Sequence, residues 1–479
     1  MPRRTKIVAT LGPATDSEQA LADLLAAGVD LVRVNFSHGG FEDHSRRIGL
    51  VRKAAAKAGR VVGILGDLRG PKVRIERFAT GSVTLVEGEN FALDTKLDPL
   101  SGTVRVVGVA YERLPRDVRK GDTLLLNDGL ISLEVLKVEG TRVHTRVLTG
   151  GELSDLKGLN KQGGGLSAGA LTDKDREDIV MAAKLGVDYL AVSFVRDRND
   201  IVEAWDRMRD AGGEGRIVAK IERREAIDNL KSIIETTAAV MVARGDLGVE
   251  VGYAELTGLQ KHIISRARAK NRLVITATQM MESMIHAPVP TRAEVSDVAN
   301  AVMDDTDAVM LSAETAVGKH PGRVVRAMAQ VIEGAEKWQT SNRPDLRGLD
   351  LHFNRTDEAI AAAVMYTANH LDVRAIVALT ESGSTALWMS RMRSDIPIYA
   401  FTRHPATQRR VTLYRGVYPV DFDVTHPRPE DMYPAIFERM IADGLAAEGD
   451  LIIVTKGEFS GVSGGTNTMK IIQVQRRPA

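Results

Sequence analysis

Short apolar runs rich in Val, Ile and Leu recur along the chain, separated by stretches with helical spacing. Eight such runs stand out: Lys6–Gly12, Leu31–Ser37, Val61–Leu68, Tyr189–Val195, Ile217–Glu222, Ala239–Asp246, Leu273–Gln279 and Ala308–Thr315. None alternates strictly between apolar and polar positions, which predicts parallel strands covered on both faces. Helical periodicity fills Phe41–Gly59, Asp173–Gly186, Asn199–Ala211, Tyr253–Lys270, Arg292–Met303 and Gly322–Trp338. A Gly-Val-Asp tripeptide leads into an apolar run at Gly28–Asp30 and again at Gly186–Asp188. Glycine there suits the left-handed residue that ends a helix before the next strand.

Eight βα units predict a (β/α)8 TIM barrel within an α/β fold, with an open doubly wound sheet as the alternative that strand counting leaves standing. The placement of polar residues favours the barrel. The runs end in Thr10; Arg33, Asn35 and Ser37; Asp67; Ser193; Lys220 and Glu222; Arg244 and Asp246; Thr278 and Gln279; and Glu314. Solvated strand ends would explain each of these singly, but a closed barrel gathers all of them on the face where such folds carry their active sites.

The barrel pattern is interrupted. From Lys72 to Gly150 the period becomes two, in Ser82–Val86, Val104–Val109, Leu124–Leu126, Leu130–Val138 and Arg142–Leu148, with Asn127-Asp128-Gly129 as a turn signal. This predicts a small all-β domain inserted after the third strand, positioned to act as a lid. Beyond Trp338, the polar segment Gln339–Arg347 predicts a linker. A second α/β pattern follows, with a helix near Thr356–Leu371 and strands at Ala375–Thr380, Pro397–Thr402, Val417–Phe422, Asp450–Thr455 and Lys470–Val474. The expected units are a barrel in two parts (1–69 and 168–342), an inserted β-barrel lid (70–167) and a C-terminal α/β domain (350–479).

Composition narrows the classes of function. The 479 residues are 44% hydrophobic and 27% charged, as in an ordinary globular protein. Lys and Arg number 64 against 63 Asp and Glu, so no net field favours nucleic acid or a membrane surface. No apolar run approaches the roughly 18 residues of a membrane helix. The absence of cysteine excludes disulfides, thiolate metal sites and cysteine nucleophiles, and suits a cytoplasmic protein. At 4%, aromatic residues are too few for a surface that stacks single-stranded bases.

Nucleotide signatures are mostly missing. No Gly-x-x-x-x-Gly-Lys-Ser/Thr occurs, and Gly163-x-Gly165-x-x-Ala168 follows polar Asn160–Gln162 rather than a strand, so it reads as a loop. Phosphate chemistry must therefore use side chains at the barrel mouth. Glu222 and Asp246 offer two hard oxygen ligands, a donor set that suits Mg²⁺. Lys220, two residues before Glu222, shares its strand face and could stabilise a transferring phosphoryl group. Arg33 and Arg74 offer planar forks for phosphate oxygens. The competing readings are a structural Lys220–Glu222 ion pair, and a buried hydrogen-bonding role for Thr278.

The stretches Thr5–Thr15, Arg33–Gly39, Asp67–Arg74, Lys220–Glu222, Met241–Glu250, Ile275–Ile285 and Pro290–Gly318 together resemble the pyruvate kinase family over nearly the whole chain. The resemblance implies phosphoryl transfer from phosphoenolpyruvate to ADP, giving ATP and pyruvate in the last step of glycolysis. It implies Mg²⁺ (or Mn²⁺) on Glu222 and Asp246, and Lys220 neutralising the phosphoryl group in flight. Arg33 would hold the substrate phosphate, backbone N–H groups at Gly245 and Asp246 the carboxylate, and Thr278 would position the proton donor. Asn35, His38, Arg74 and Lys174 match family positions near ADP phosphates, although by itself Lys174 reads as a solvated first helical turn. A homotetramer is implied as well.

Where many members read Asp-Thr-Lys-Gly-Pro-Glu, this chain has Asp67-Leu68-Arg69-Gly70-Pro71-Lys72. The family's K⁺ pocket corresponds to Asn35, Ser37, Asp67 and Leu68. Leu68 removes a hydroxyl ligand and Lys72 could serve as an internal cation, so activity independent of K⁺ is expected, against the plainer reading of Lys72 as a solvated loop residue. Asp305 replaces a common Gly, and no function is attached to it. Thr380, Ser382, Gly383, Ser384 and Thr385 form a turn between a strand and a helix, suited to cradling phosphate. The family binds phosphorylated activators there, helped by a loop like Gly461–Thr468. Ser167 and the Gly163–Leu166 run resemble the bacterial isoform activated by AMP or sugar monophosphates. Two rivals are carried forward: a metal-dependent aldolase or lyase sharing the carboxylates, and a catalytically silent metabolite sensor.

Overall fold

The computed structural model describes residues 2–341, 353, 355–423, 429–457 and 465–476. Most of the expected linker, and positions 461–464 of the glycine-rich loop, lie outside them.

Eight parallel strands close into a barrel: β1 (Lys6–Thr10), β2 (Leu31–Asn35), β3 (Gly63–Asp67), β4 (Tyr189–Val192), β5 (Arg216–Ile221), β6 (Ala239–Ala243), β7 (Leu273–Ala277) and β8 (Ala308–Leu311). The lack of alternation in the sequence has a direct cause, because both faces of every strand are buried. Ile7, Val32, Ile64, Leu190, Val240 and Val274 pack under the surrounding helices. The opposite parity, including Val8, Leu31, Leu65, Ala191, Val218 and Met241, forms a separate core. Continuing that second parity toward the carboxyl ends gives Thr10, Arg33, Asp67, Ser193 and Lys220, so period-two geometry puts apolar residues and chemistry on the same inward face.

All eight strands stop one to four residues short of the predicted runs, and the difference matters most at three carboxyl ends. β6 stops at Ala243, and Asp246 lies in the first turn of the helix Arg244–Val251. Thr278 lies just past β7, and Glu314 sits in the short helix Ala313–Ala316. Side chains take the backbone N–H groups that a longer ladder would use. Thr278 Oγ1 accepts from Gly245 N at 2.8 Å, and the Glu314 carboxylate accepts from Ser312 N at 2.6 Å and Met281 N at 3.2 Å.

Between β3 and β4 the chain builds a six-stranded sheet and a two-stranded ribbon around one apolar core that includes Ile75, Phe91, Leu124, Leu133 and Leu153. The lid is thus closed by side-chain packing rather than by a continuous ring of hydrogen bonds. Three of its strands, Asn90–Asp94, Gly151–Ser154 and Leu159–Lys161, escape the sequence pattern. The last is only three residues long and the second only four, too short for a period to register. The C-terminal sheet runs in the order Val417–Asp421, Ile398–Thr402, Ala375–Leu379, Leu451–Gly457, Thr466–Gln473, with only the last strand antiparallel.

The Gly-Val-Asp signature explains how the barrel floor is fastened. Asp30 accepts from Ile7 N at 2.8 Å and Arg3 at 2.7 Å. Asp188 accepts from Ile64 N at 2.8 Å and Arg409 at 2.9 Å. Asp307 accepts from Val274 N at 2.9 Å and pairs with both terminal nitrogens of Arg391. Each carboxylate therefore ties the start of one strand to its neighbour, and two of the three arginines come from the C-terminal sheet's helices and loops. Asp305 occupies the glycine position of the third copy at φ +66°, and its carboxylate holds Arg393 at 2.7 Å and Arg415. Replacing Asp307 with Ala leaves the Arg391 guanidinium buried and unpaired, so chemical denaturation is expected to register a loss of about 3–5 kcal/mol.

Candidate active site

At the barrel mouth the inward parity converges on one ammonium group. Lys220 Nζ donates to Ser193 Oγ at 2.7 Å and lies 2.9 Å from Glu222 Oε1 and 3.4 Å from Asp67 Oδ1. Burial alone would favour the neutral amine, but Asp67 and Glu222 outweigh it and hold the lysine above its ordinary pKa. Ser193 is fixed in turn by donating to Leu68 O at 2.7 Å. Arg33 Nε reaches Asp67 Oδ2 at 2.5 Å, and its NH1 reaches Thr10 Oγ1 at 3.2 Å. Asp67 is 1% exposed; burial raises its pKa, yet Lys220 and Arg33 together keep it below the usual carboxylate range.

Glu222 Oε2 accepts from Phe194 N at 2.7 Å. Its carboxyl is pushed up, first by burial and then by the negative charge of Asp246, while Lys220 pulls the other way. Asp246 is thus close enough for its charge to be felt at Glu222. Asp246 is a quarter exposed and is met by Lys72 Nζ at 3.2 Å, which also lies 3.8 Å from Asp128 on the lid. Among the described residues no group of three or more His, Asp or Glu side chains is arranged to hold a metal. Two carboxylates nevertheless match the coordination habit of Mg²⁺, which fills its remaining positions with water and substrate oxygens, and the residues present fit such an ion.

Thr278, at φ +68°, donates to Ala277 O at 2.6 Å while accepting the Gly245 N–H. Arg244 holds this turn: it donates to Thr278 O at 2.7 Å and to Asp297 Oδ1 at 2.6 Å. Sequence reasoning placed Arg244 among the polar strand ends but gave it no part in orienting Thr278.

Several expected residues lie otherwise. Lys72 meets Asp246 and, on the lid, Asp128, rather than the pocket of Asn35, Ser37, Asp67 and Leu68. Asn35 Oδ1 instead accepts from Ser37 N at 3.1 Å, and the Leu68 side chain is buried in the outer barrel core. Arg74, on the lid, donates to Leu156 O at 2.8 Å. Lys174 is half exposed and pairs with Asp178 at 2.7 Å, one helical turn away. His38 is exposed on the loop after β2. In the C-terminal turn, Gly383 N donates to Thr380 Oγ1 at 2.9 Å, Ser382 and Ser384 hydroxyls are 2.9 Å apart, and Thr385 meets Thr466 at 2.5 Å. Thr380, Ser382 and Gly383 lie in the turn, Gly383 at φ +84° caps the helix Ser384–Ser390, and Ser384 and Thr385 form its first turn.

Comparison with known proteins decides between the rival readings. The family model "Pyruvate kinase, barrel domain" matches residues 2–325, and "Pyruvate kinase, alpha/beta domain" matches residues 358–472. The chain belongs to the pyruvate kinase family. Pyruvate kinase II of Salmonella typhimurium is 54% identical over 99% of both chains. Pyruvate kinase of Haemophilus influenzae is 50% identical over 95% of this chain and 96% of its own. The Bacillus licheniformis enzyme is 40% identical, covering 98% of this chain and 80% of its own. The protein is therefore a phosphotransferase of glycolysis, and enzymes of this family generally use Mg²⁺ and K⁺.

Proposed function

We propose that the cluster around Lys220 transfers the phosphoryl group of phosphoenolpyruvate to ADP. The observation that carries this reading is a lysine kept charged beside two carboxylates, Asp67 and Glu222, the second of which feels the negative charge of a third, Asp246. The bond from phosphorus to the enol oxygen breaks, a bond to the terminal oxygen of ADP forms, and the enolate left behind takes a proton at carbon to become pyruvate. Lys220 would neutralise the equatorial phosphoryl oxygens as charge spreads onto them, an interaction strongest in the transition state. Arg33, oriented by Asp67 and Thr10, would hold the same phosphoryl group through the nitrogens those partners leave over. Glu222 and Asp246 would hold the divalent ion, which when bound supplies positive charge to substrate oxygens.

The substrate carboxylate would take the backbone N–H groups of Gly245 and Asp246. Because Thr278 accepts the Gly245 N–H, carboxylate binding there would release the threonine hydroxyl to orient the proton donor. Asn35, His38, Arg74 and Lys174 would contact ADP phosphates; the exposed Lys174 head group can swing from Asp178 to a nucleotide at little cost. The domain division expected from the sequence, a lid at 70–167 on a two-part barrel with a C-terminal domain from 350, assigns Arg74 to the lid and so makes nucleotide binding sensitive to its position. A cytoplasmic homotetramer is part of the same proposal.

Lys220→Ala is expected to depress kcat by several orders of magnitude while changing the half-saturating phosphoenolpyruvate concentration far less. Equal losses in both, in a coupled assay of ATP formation, would count against a transition-state role. For the monovalent site, Lys72 supplies a fixed cation at the carboxylate pair, while Arg33 and Lys220 already compensate Asp67. Exchanging K⁺ for a large organic cation at constant ionic strength is expected to leave the rate unchanged, and a many-fold loss would refute this. The hydroxyl-rich loop Thr380–Thr385 supports activation by a phosphorylated metabolite. AMP or ribose 5-phosphate is expected to lower the half-saturating phosphoenolpyruvate concentration, and failure of both would remove the effector assignment.

A further inference from the structure

The lid returns to the barrel through Gly163-Gly164-Gly165-Leu166-Ser167-Ala168, between the strand Leu159–Lys161 and the helix Asp173–Leu185. All three glycines have positive φ, at +82°, +81° and +93°, so the backbone here is a bend that few other residues would adopt. A Cβ at Gly164 would also lie 3.0 Å from Arg224 Cβ and 3.2 Å from Glu225 Oε2. Chains of this kind are soft unless something outside them supplies hydrogen bonds.

Partners come from both sides: on the lid, Asp117 Oδ2 accepts from Ser167 N at 2.8 Å and Ser167 Oγ at 3.1 Å, and on the barrel the rest come from the segments that follow β5 and β6. Arg223 is almost entirely buried and its guanidinium donates to Ala168 O at 3.0 Å and to Leu166 O. Glu225 Oε1 accepts from Gly165 N at 2.7 Å. Glu250 O accepts from Gly163 N at 2.9 Å, and Glu250 Oε2 accepts from Arg224 N at 2.9 Å, so the two loops are also tied to each other. Glu225 Oε2 is buried without a hydrogen bond and lies 3.5 Å from Arg223 Nε, which keeps the guanidinium turned toward the hinge. Arg223 is the residue after Glu222, and Glu250 is one helical turn after Asp246.

We propose that Arg223 and Glu225 are positioning residues that clasp the lid's return hinge to the two loops carrying the metal-binding carboxylates, so that the setting of the carboxylate pair and the setting of the lid are one event. The inference rests on the assignment of Glu222 and Asp246 made above. Its physical core is that the glycine bend takes hydrogen bonds from residues adjoining the ion site on one side, while its Ser167 is held by Asp117 of the lid on the other. Drawing Glu222 and Asp246 together around a cation would move Arg223 and the end of the Asp246 helix, and the hinge with them. Cations on the lid, Lys72 and Arg74, would then be carried toward the mouth. Burial pushes the Glu250 carboxyl up to about 7, with Arg223 opposing and Glu225 and Asp246 adding to the shift, so the second tie point is itself electrostatically tuned.

The test combines hydrogen exchange of the 161–170 segment with steady-state kinetics on the full-length enzyme. Mg²⁺ alone is expected to slow exchange in this segment of the unaltered protein. In Arg223→Met that response should vanish. The half-saturating concentrations of Mg²⁺ and ADP should rise roughly tenfold or more, the effect of one lost charge-assisted hydrogen bond, with that of phosphoenolpyruvate changed less than about threefold. Arg223→Lys, able to reach one of the two carbonyls, should recover part of each effect. Glu225→Ala, which deletes the acceptor for Gly165 and the carboxylate beside Arg223 Nε, should reproduce the loosening if Arg223→Met does not fold. The clasp is overturned if Mg²⁺ leaves exchange at 161–170 unchanged in the unaltered protein. It is equally overturned if the variants loosen the hinge without altering Mg²⁺ and ADP dependence, or raise all three concentrations alike. Absence of ATP formation by the unaltered enzyme would instead indict the assigned reaction.

Discussion

An ammonium group at the bottom of a narrow protein mouth stays charged only if carboxylates accompany it. Lys220 has two, Asp67 and Glu222, and neither belongs to it alone. Asp67 also orients Arg33, while Glu222 faces Asp246, which in turn meets Lys72 from the lid. A chain of charges therefore runs from Arg33 on β2 through Asp67, Lys220 and Glu222 to Asp246 and the inserted domain's Lys72, alternating in sign except where the two carboxylates Glu222 and Asp246 meet. The barrel contributes the spacing. Strand neighbours set Arg33, Asp67 and Lys220 at matched heights, and their shared parity turns them all inward.

How much of this the sequence disclosed follows from how local each feature is. Strand identity was legible because double-sided burial leaves a continuous apolar run, and the Gly-Val-Asp repeat marked where helices give way to strands. Lys220 and Glu222 could be paired from a two-residue spacing. Strand ends were overestimated at Asp246, Thr278 and Glu314, since what stops the ladder there is a side chain from a neighbouring loop taking a backbone N–H. Lys72 was read as a cation for the Asn35–Asp67 pocket; its contact with Asp246 joins positions 174 residues apart and depends on how the lid docks. Lys174 took its bland reading in the structure because Asp178, one turn along, is the nearest acceptor.

The hinge residues show a different blind spot. Gly163-x-Gly165-x-x-Ala168 was set aside as a nucleotide motif because no strand was expected before it; the strand Leu159–Lys161 does precede it, paired antiparallel in the lid sheet and too short to show in the sequence pattern. Its meaning lies in Arg223, Glu225 and Glu250, which look like ordinary solvated charges until the fold brings them to the same bend. Asp305 is similar. A carboxylate in a glycine position looks unfavourable in isolation, yet two arginines from the far domain compensate its charge, so the positive φ is held by ion pairing.

The inner core of the barrel does not end at its floor. Val8, Leu31, Tyr189, Leu273 and Ala308 belong to the same packed cluster as Val411, Leu413, Tyr414 and Val417 of the C-terminal sheet's surroundings. The C-terminal domain is thus the stopper of the barrel. Severing the two would open the oily end of the cylinder to water, so neither piece is expected to persist as an independent module. Any signal received at the far domain would reach the barrel as a shift in a plug rather than through a flexible tether.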